Sequence, residues 1–233
     1  MPKVVFCLPV VNRPFQATID SLEASLPAVE AAGFEHQLVQ TLNNPYISAA
    51  RAEMLREALD AKAEIIVFID YDLSWRPDDM VKLLKTEGDV VAGTYRAMID
   101  EEKYMGTIVT FEDGTPVCRV GDHAISAKLI PAGFLKITER AVDTFMGAYP
   151  ELCFGPWFHL AVDLFNHGVH DRVWWGEDYS FARRWKEKCG EIWLVPDLDL
   201  DHQTKDKVYK GNFHQYMMRQ PKPNGDNLRD AKD

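Results

Sequence analysis

The sequence is short of cysteine, short of positive charge and empty of long apolar runs. Its four cysteines (Cys7, Cys118, Cys153 and Cys189) are scattered through 233 residues, without the close spacing of a zinc site. The expectation is free thiols in a cytoplasmic compartment. Lysine and arginine number 26 against 36 acids, a net charge of −10. That balance argues against a non-specific nucleic-acid binder and against a peripheral protein of anionic membranes. No apolar run reaches membrane-spanning length, and residues 1–11 are too short for a signal peptide and lack a small-residue cleavage site. Hydrophobic residues at 46% and charged ones at 27% are what remains, the proportions of a globular chain with one substantial core.

Residues 3–11 (KVVFCLPVV) and 65–69 (IIVFI) are continuous apolar runs, which predict strands buried on both faces. Between them, 15–32 has helical spacing, with Pro27 expected to kink or split it. Residues 36–42 read as a strand, and Ser48 opens a helix to about residue 61. Pro77, followed by Asp78 and Asp79, starts a further helix, and 89–95 a fourth strand. This βαβαβαβ rhythm predicts a parallel, doubly wound sheet. It then changes: 106–111 and 116–120 form a hairpin about residues 112–114, and 125–130 is another strand. Thr138 caps a helix to residue 145, 149–175 is a long loop, 176–188 a helix and 192–195 a short strand. The fold class is α/β, a Rossmann-like mixed sheet, mostly parallel with an antiparallel addition and helices on both faces. Residues 203–233 are polar and peripheral; 1–215 makes one domain and 216–233 a tail.

The chemistry gathers at EIIVFIDYD (64–72). In extended backbone, side chains two apart point the same way, so Asp70 and Asp72 converge at the carboxyl end of a buried strand. Ligands bind at that end of an open α/β sheet. Two close carboxylates repel unless a positive charge lies between them, and a divalent cation answers that need. The plainer alternative is a strand end followed by a helix cap.

An Asp-x-Asp after a Rossmann-like half and before a mixed half resembles the GT-A glycosyltransferases that use nucleotide sugars, the family 2-like superfamily. Four further stretches are similar to that family and occur in its order: NNPYISAARAEMLREA (43–58), PAGFLKITER (131–140), GEDYSFARRWKEK (176–188) and DHQTKDKVYKG (201–211). The resemblance implies that Asp70, Asp72 and His202 hold Mn²⁺ or Mg²⁺ on the diphosphate of a nucleoside diphosphate sugar, UDP more than GDP. It implies that Pro9, Val11, Asn12 and Arg13 hold the nucleoside, that Asn43 and Arg51 face the nucleotide, and that Tyr71 and Gly133 lie beside the donor. Lys205, Lys207, Tyr209 and Lys210 would fold over the phosphates; a solvated face is the alternative. Arg51 has its own alternative, an ion pair with Glu53 or Glu57. Asp178 would be the general base and Glu177 a contact to sugar or acceptor hydroxyls, although acids in a first helical turn also serve the helix dipole. The acceptor would be a hydroxyl of a glycan or another molecule. Two other classes remain open here: a haloacid dehalogenase-like phosphohydrolase using Asp70 and Asp72, and a non-catalytic nucleotide-sugar-binding protein.

Overall fold

In a computed structural model of the chain, residues 1–42, 44–157 and 159–220 are described. The first half alternates as expected: β1 (Lys3–Val10), α1 (Gln16–Ala31), β2 (Glu35–Leu42), α2 (Ile47–Asp60), β3 (Ile65–Ile69), the short β4 (Leu73–Ser74), α3 (Pro77–Lys85) and β5 (Val90–Gly93). β1 is buried from Val4 to Val10 and β3 from Ile66 to Ile69. Strands covered on both faces have no solvent side to mark with polar residues, hence their unbroken apolar runs.

The second half holds β6 (Thr107–Ile108), β7 (Ile125–Leu129), β8 (Phe134–Thr138) and α4 (Glu139–Ala148). Two small hairpins follow, β9 (Cys153–Phe154) with β10 (Ala161–Val162) and β11 (Gly168–His170) with β12 (Val173–Trp175). The chain closes through α5 (Glu177–Lys188), β13 (Trp193–Val195), β14 (Asp201–Gln203), β15 (Val208–Tyr209) and α6 (Phe213–Arg219).

Eight strands form one sheet in the order β2-β1-β3-β8-β5-β13-β7-β6. β1 is parallel to β2 and β3, and β5 to β13. β8 lies between β3 and β5 and runs against both, while β7 runs against β13 and β6. The mixed sheet is the expected one, but the parallel βαβ series is interrupted at its centre by a strand that sequence periodicity does not show. Lys136 breaks the apolar run of β8. It is nonetheless 3% exposed, because its ammonium reaches the Leu84 and Thr86 carbonyls at the end of α3.

Each face of the sheet carries its own core. α2, α4 and α5 cover one, where Met54, Phe145 and Phe181 meet Phe68 and Leu135. α1 and α3 cover the other, where Leu22, Val29 and Leu83 meet Phe6 and Phe134. Each such burial contributes about 1.5–3 kcal/mol. That is why α1 stays one helix through Pro27: Leu22 and Val29, on either side of the proline, are both anchored in the second core. Thr138 caps α4 as expected, its hydroxyl accepting from the Ala141 N–H at 3.1 Å.

Two segments are more ordered than the sequence reading has them. The loop 149–175 contains both small hairpins, the second turning on Asp171 and Arg172 at positive φ, as a tight two-residue turn requires. Residues 213–219, expected in a polar periphery, form α6 across the 215/216 boundary. Its Phe213 and Tyr216 rings pack 5.2 and 5.1 Å from Tyr104.

Candidate active site

The parallel strands β1 and β3 end side by side, and antiparallel β8 begins where they end. There the Asp70 N–H donates to the Gly133 carbonyl at 2.9 Å, and the Leu73 N–H donates back to the Asp70 carbonyl at 3.4 Å. Residues 70–73 are therefore a turn, not the extended backbone assumed from the sequence. Asp70 and Asp72 still line one cavity, of about 310 Å³, but with different partners.

Asp70 faces inward. Its Oδ1 accepts from Arg51 Nη2 at 2.8 Å and its Oδ2 from the Tyr95 hydroxyl at 3.1 Å. Burial pushes the Asp70 carboxyl up in pKa, against the pull of Arg51. A Cβ at residue 133 would collide with both Asp70 Oδ2 and the Tyr95 hydroxyl, so glycine is needed beside this contact.

Asp72 is buried and lies 3.4 Å from His202 Nε2. β14 delivers the histidine by pairing antiparallel with β4, His202 opposite Leu73. His202 Nδ1 is 2.8 Å from the Arg96 carbonyl; a carbonyl only accepts, so Nδ1 carries the proton and Nε2 faces Asp72. Burial opposes the charged imidazole, yet Asp72 and the Arg96 carbonyl outweigh it and the pKa moves up.

Among the described residues, no group of three or more His, Cys, Asp or Glu side chains is arranged to hold a metal ion. Of the expected set of Asp70, Asp72 and His202, the last two face each other as a pair, while the Asp70 oxygens accept from Arg51 and Tyr95. The pair itself fits a divalent cation. Carboxylate oxygen suits Mg²⁺ and Mn²⁺ while imidazole nitrogen suits several first-row ions, so the pair would accept Mn²⁺ without selecting it, and a ring whose other nitrogen is fixed by a carbonyl is oriented as ligating histidines are.

α5 contributes the opposite wall. Glu177 Oε1 accepts from Arg51 Nη1 at 3.0 Å, while Asp178 lines the cavity. Burial, reinforced by Glu177, raises the Asp178 carboxyl to about 6. Such a group is ionised at neutral pH and still basic enough to accept a proton. Arg51, expected at the nucleotide or in a pair with Glu53 or Glu57, is 2% exposed. It joins Asp70 to Glu177, with its guanidinium 5.0 Å from the Phe165 ring centroid.

A second cavity, of about 530 Å³, adjoins the first and shares Val11, Tyr71 and Asp72 with it. Asn12, Arg13 and Lys205 line this outer part, and Pro9 lines the inner. The remaining basic residues go elsewhere. Lys207 pairs with Asp100 and lies 4.5 Å over the Tyr209 ring. Lys210 lines a separate cleft beside Arg76 and Asp199. Of the four residues expected over the phosphates, Lys205 lines the cavity. Asn43 lies outside the described residues. Sequence reading missed Tyr95, whose only signal is its place just past the carboxyl end of a strand, and Phe165, which carries none.

The mixed sheet flanked by helices is a GT-A-like glycosyltransferase fold, by its likeness to a solved structure. No family model matches the sequence, and no curated protein matches it. Among solved structures, GalNAc-T7 with UDP, GalNAc and Mn²⁺ superposes with a TM-score of 0.51 at 10% identity over 85% of this chain. The match covers 43% of the GalNAc-T7 chain, so this chain spans less than half of that protein's length. A Drosophila β1,4-galactosyltransferase 7 mutant in complex with manganese, UDP-Gal and xylobiose gives 0.47 at 13% identity, over 100% of this chain and 82% of the other. The same enzyme with xylobiose gives 0.45 at 12%, over 95% and 75%.

Proposed function

We propose that the protein is a glycosyltransferase that moves a sugar from a nucleoside diphosphate donor, UDP favoured over GDP, to a hydroxyl of a glycan or another acceptor. One observation carries this reading: Asp72, His202 and Asp178 converge on a single cavity that opens into a larger one lined by Asn12, Arg13, Tyr71 and Lys205. UDP and Mn²⁺ are brought to this chain from GalNAc-T7, and Asp72 with His202 is a pair that would accept that metal.

Asn12, Arg13 and Tyr71 would hold the nucleoside, with Lys205 reaching the phosphates. Asp72 and His202 would hold the cation, whose charge stabilises the departing diphosphate. Asp178 takes the proton from the attacking hydroxyl at its carboxylate. Glu177, tied to Arg51, keeps that end of α5 against the cavity. The phosphohydrolase reading is not favoured, because Asp70, which would be its nucleophile, is turned to Arg51 and Tyr95 and does not line the larger cavity.

Calorimetry with UDP, GDP and CMP, each with and without Mn²⁺, followed by donor hydrolysis and transfer assays, tests the proposal. UDP binding that depends on Mn²⁺ is the expected result. Turnover of p-nitrophenyl phosphate without nucleotide binding would replace the transferase by a phosphatase, and nucleotide binding with neither transfer nor hydrolysis would leave a binding protein.

A further inference from the structure

Arg51 lines the inner cavity, yet both of its terminal nitrogens are taken by protein carboxylates. Its side chain is 3% exposed, and its two terminal nitrogens are given to two acids from distant parts of the chain, Asp70 in the turn after β3 and Glu177 at the start of α5. The guanidinium rests on the Phe165 ring, and Nε is buried with no partner. A planar fork that donates from two fixed positions sets the spacing of what it joins. Here it joins the wall that receives the diphosphate to the wall that receives the acceptor.

We propose that Arg51 is a positioning residue: it locks the first turn of α5 to the acidic turn and so places Asp178 at a fixed distance from the donor. This rests on the transferase reading and adds a division of labour to it. Glu177 is consumed by the clamp, which leaves Asp178, one residue further along the helix, as the acid free to act. A lysine ammonium has three donors on one nitrogen but no planar fork, so it can meet both carboxylates only by drawing them to a single point. Arg51→Lys keeps the charge and loosens the spacing, and displacements on the order of 1 Å at a reacting group lower rates ~100-fold.

The test compares Arg51→Lys, Glu177→Ala and the double variant with the wild-type chain. UDP–Mn²⁺ affinity is read by calorimetry, and kcat and both KM values by transfer assay. Each single variant is expected to bind UDP–Mn²⁺ within about threefold of wild type, with KM values similarly unchanged and kcat lowered ~10- to 100-fold. The double variant should fall no further than the worse single, because both break one clamp. A more than tenfold loss of nucleotide affinity in Arg51→Lys would make the residue a donor contact and overturn the inference. So would an unchanged kcat in Glu177→Ala, or losses that multiply in the double variant. Should Arg51→Lys fail to fold, Glu177→Ala decides alone, since it leaves Arg51 still paired with Asp70. A wild-type chain that binds no nucleotide with Mn²⁺ overturns the transferase reading itself, a result distinct from any difference between variants.

Discussion

Asp178 shows how far a side chain's chemistry is set by its surroundings. As a first-turn helix residue it would be an ordinary acid complementing the dipole; buried behind Glu177, it titrates near 6. The base must be ionised to accept a proton, so kcat/KM should rise with pH through about 6 and level off above it. Asp178→Asn should abolish that limb and lower the rate by roughly 10²- to 10⁴-fold, with UDP affinity unchanged. A pH–rate profile beside calorimetry checks this, and equal loss of binding and turnover would make the residue structural. Single side chains of this kind were partly legible. Asp72, His202 and Asp178 were named from spacing and resemblance, whereas the destination of Arg51 was not, because nothing local encodes a partner 126 positions away.

At the scale of elements, β8 matters most, because it brings Gly133 against Asp70 and fills the gap between β3 and β5. Gly133→Ala should strain the Asp70–Tyr95 contact and lower stability by about 1–3 kcal/mol, measured by urea denaturation; an unchanged midpoint would mean that the turn yields freely. Lys136 gives the same strand a pH signature. Burial pulls its ammonium down to about 8, against ~10.4 unfolded, so between those values the unfolded chain binds a proton that the native one does not. Native stability therefore rises with pH in that window. Relative to Lys136→Met, the wild type should gain ~1.5 kcal/mol between pH ~8 and ~9.5, and parallel stability curves would refute the assignment. Elements with a strong periodic or apolar signal, such as β1, α2, β3 and α5, were readable. β8 was not, since a charged residue at its centre is tolerated only by the carbonyls at the end of α3.

At the scale of the whole molecule, the two cores hold the sheet rigid while the cavity sits at the edge where its parallel strands end. A ligand bound only by the native chain stabilises it, by about 2.7 kcal/mol at a hundredfold excess over Kd. UDP with Mn²⁺ should therefore raise the melting temperature, and chelation of the metal should cancel the effect. Asp72→Ala should lose the response, whereas Asp70→Asn should retain a metal-dependent one; a scan in which Asp72→Ala still responds would remove the metal pair from the site.

The sequence by itself determined the alternation of helices and strands, the double-faced burial of β1 and β3, the cap of α4 and the acids at the tip of β3. All are encoded within a few residues, by apolar periodicity, capping chemistry and the abrupt end of an apolar run. The tertiary structure alone decided which of those acids faces a histidine and which faces an arginine, and where the antiparallel strand enters the sheet. Those choices depend on burying a charge only beside its counter-charge, and the counter-charges come from parts of the chain that meet only when both cores have closed.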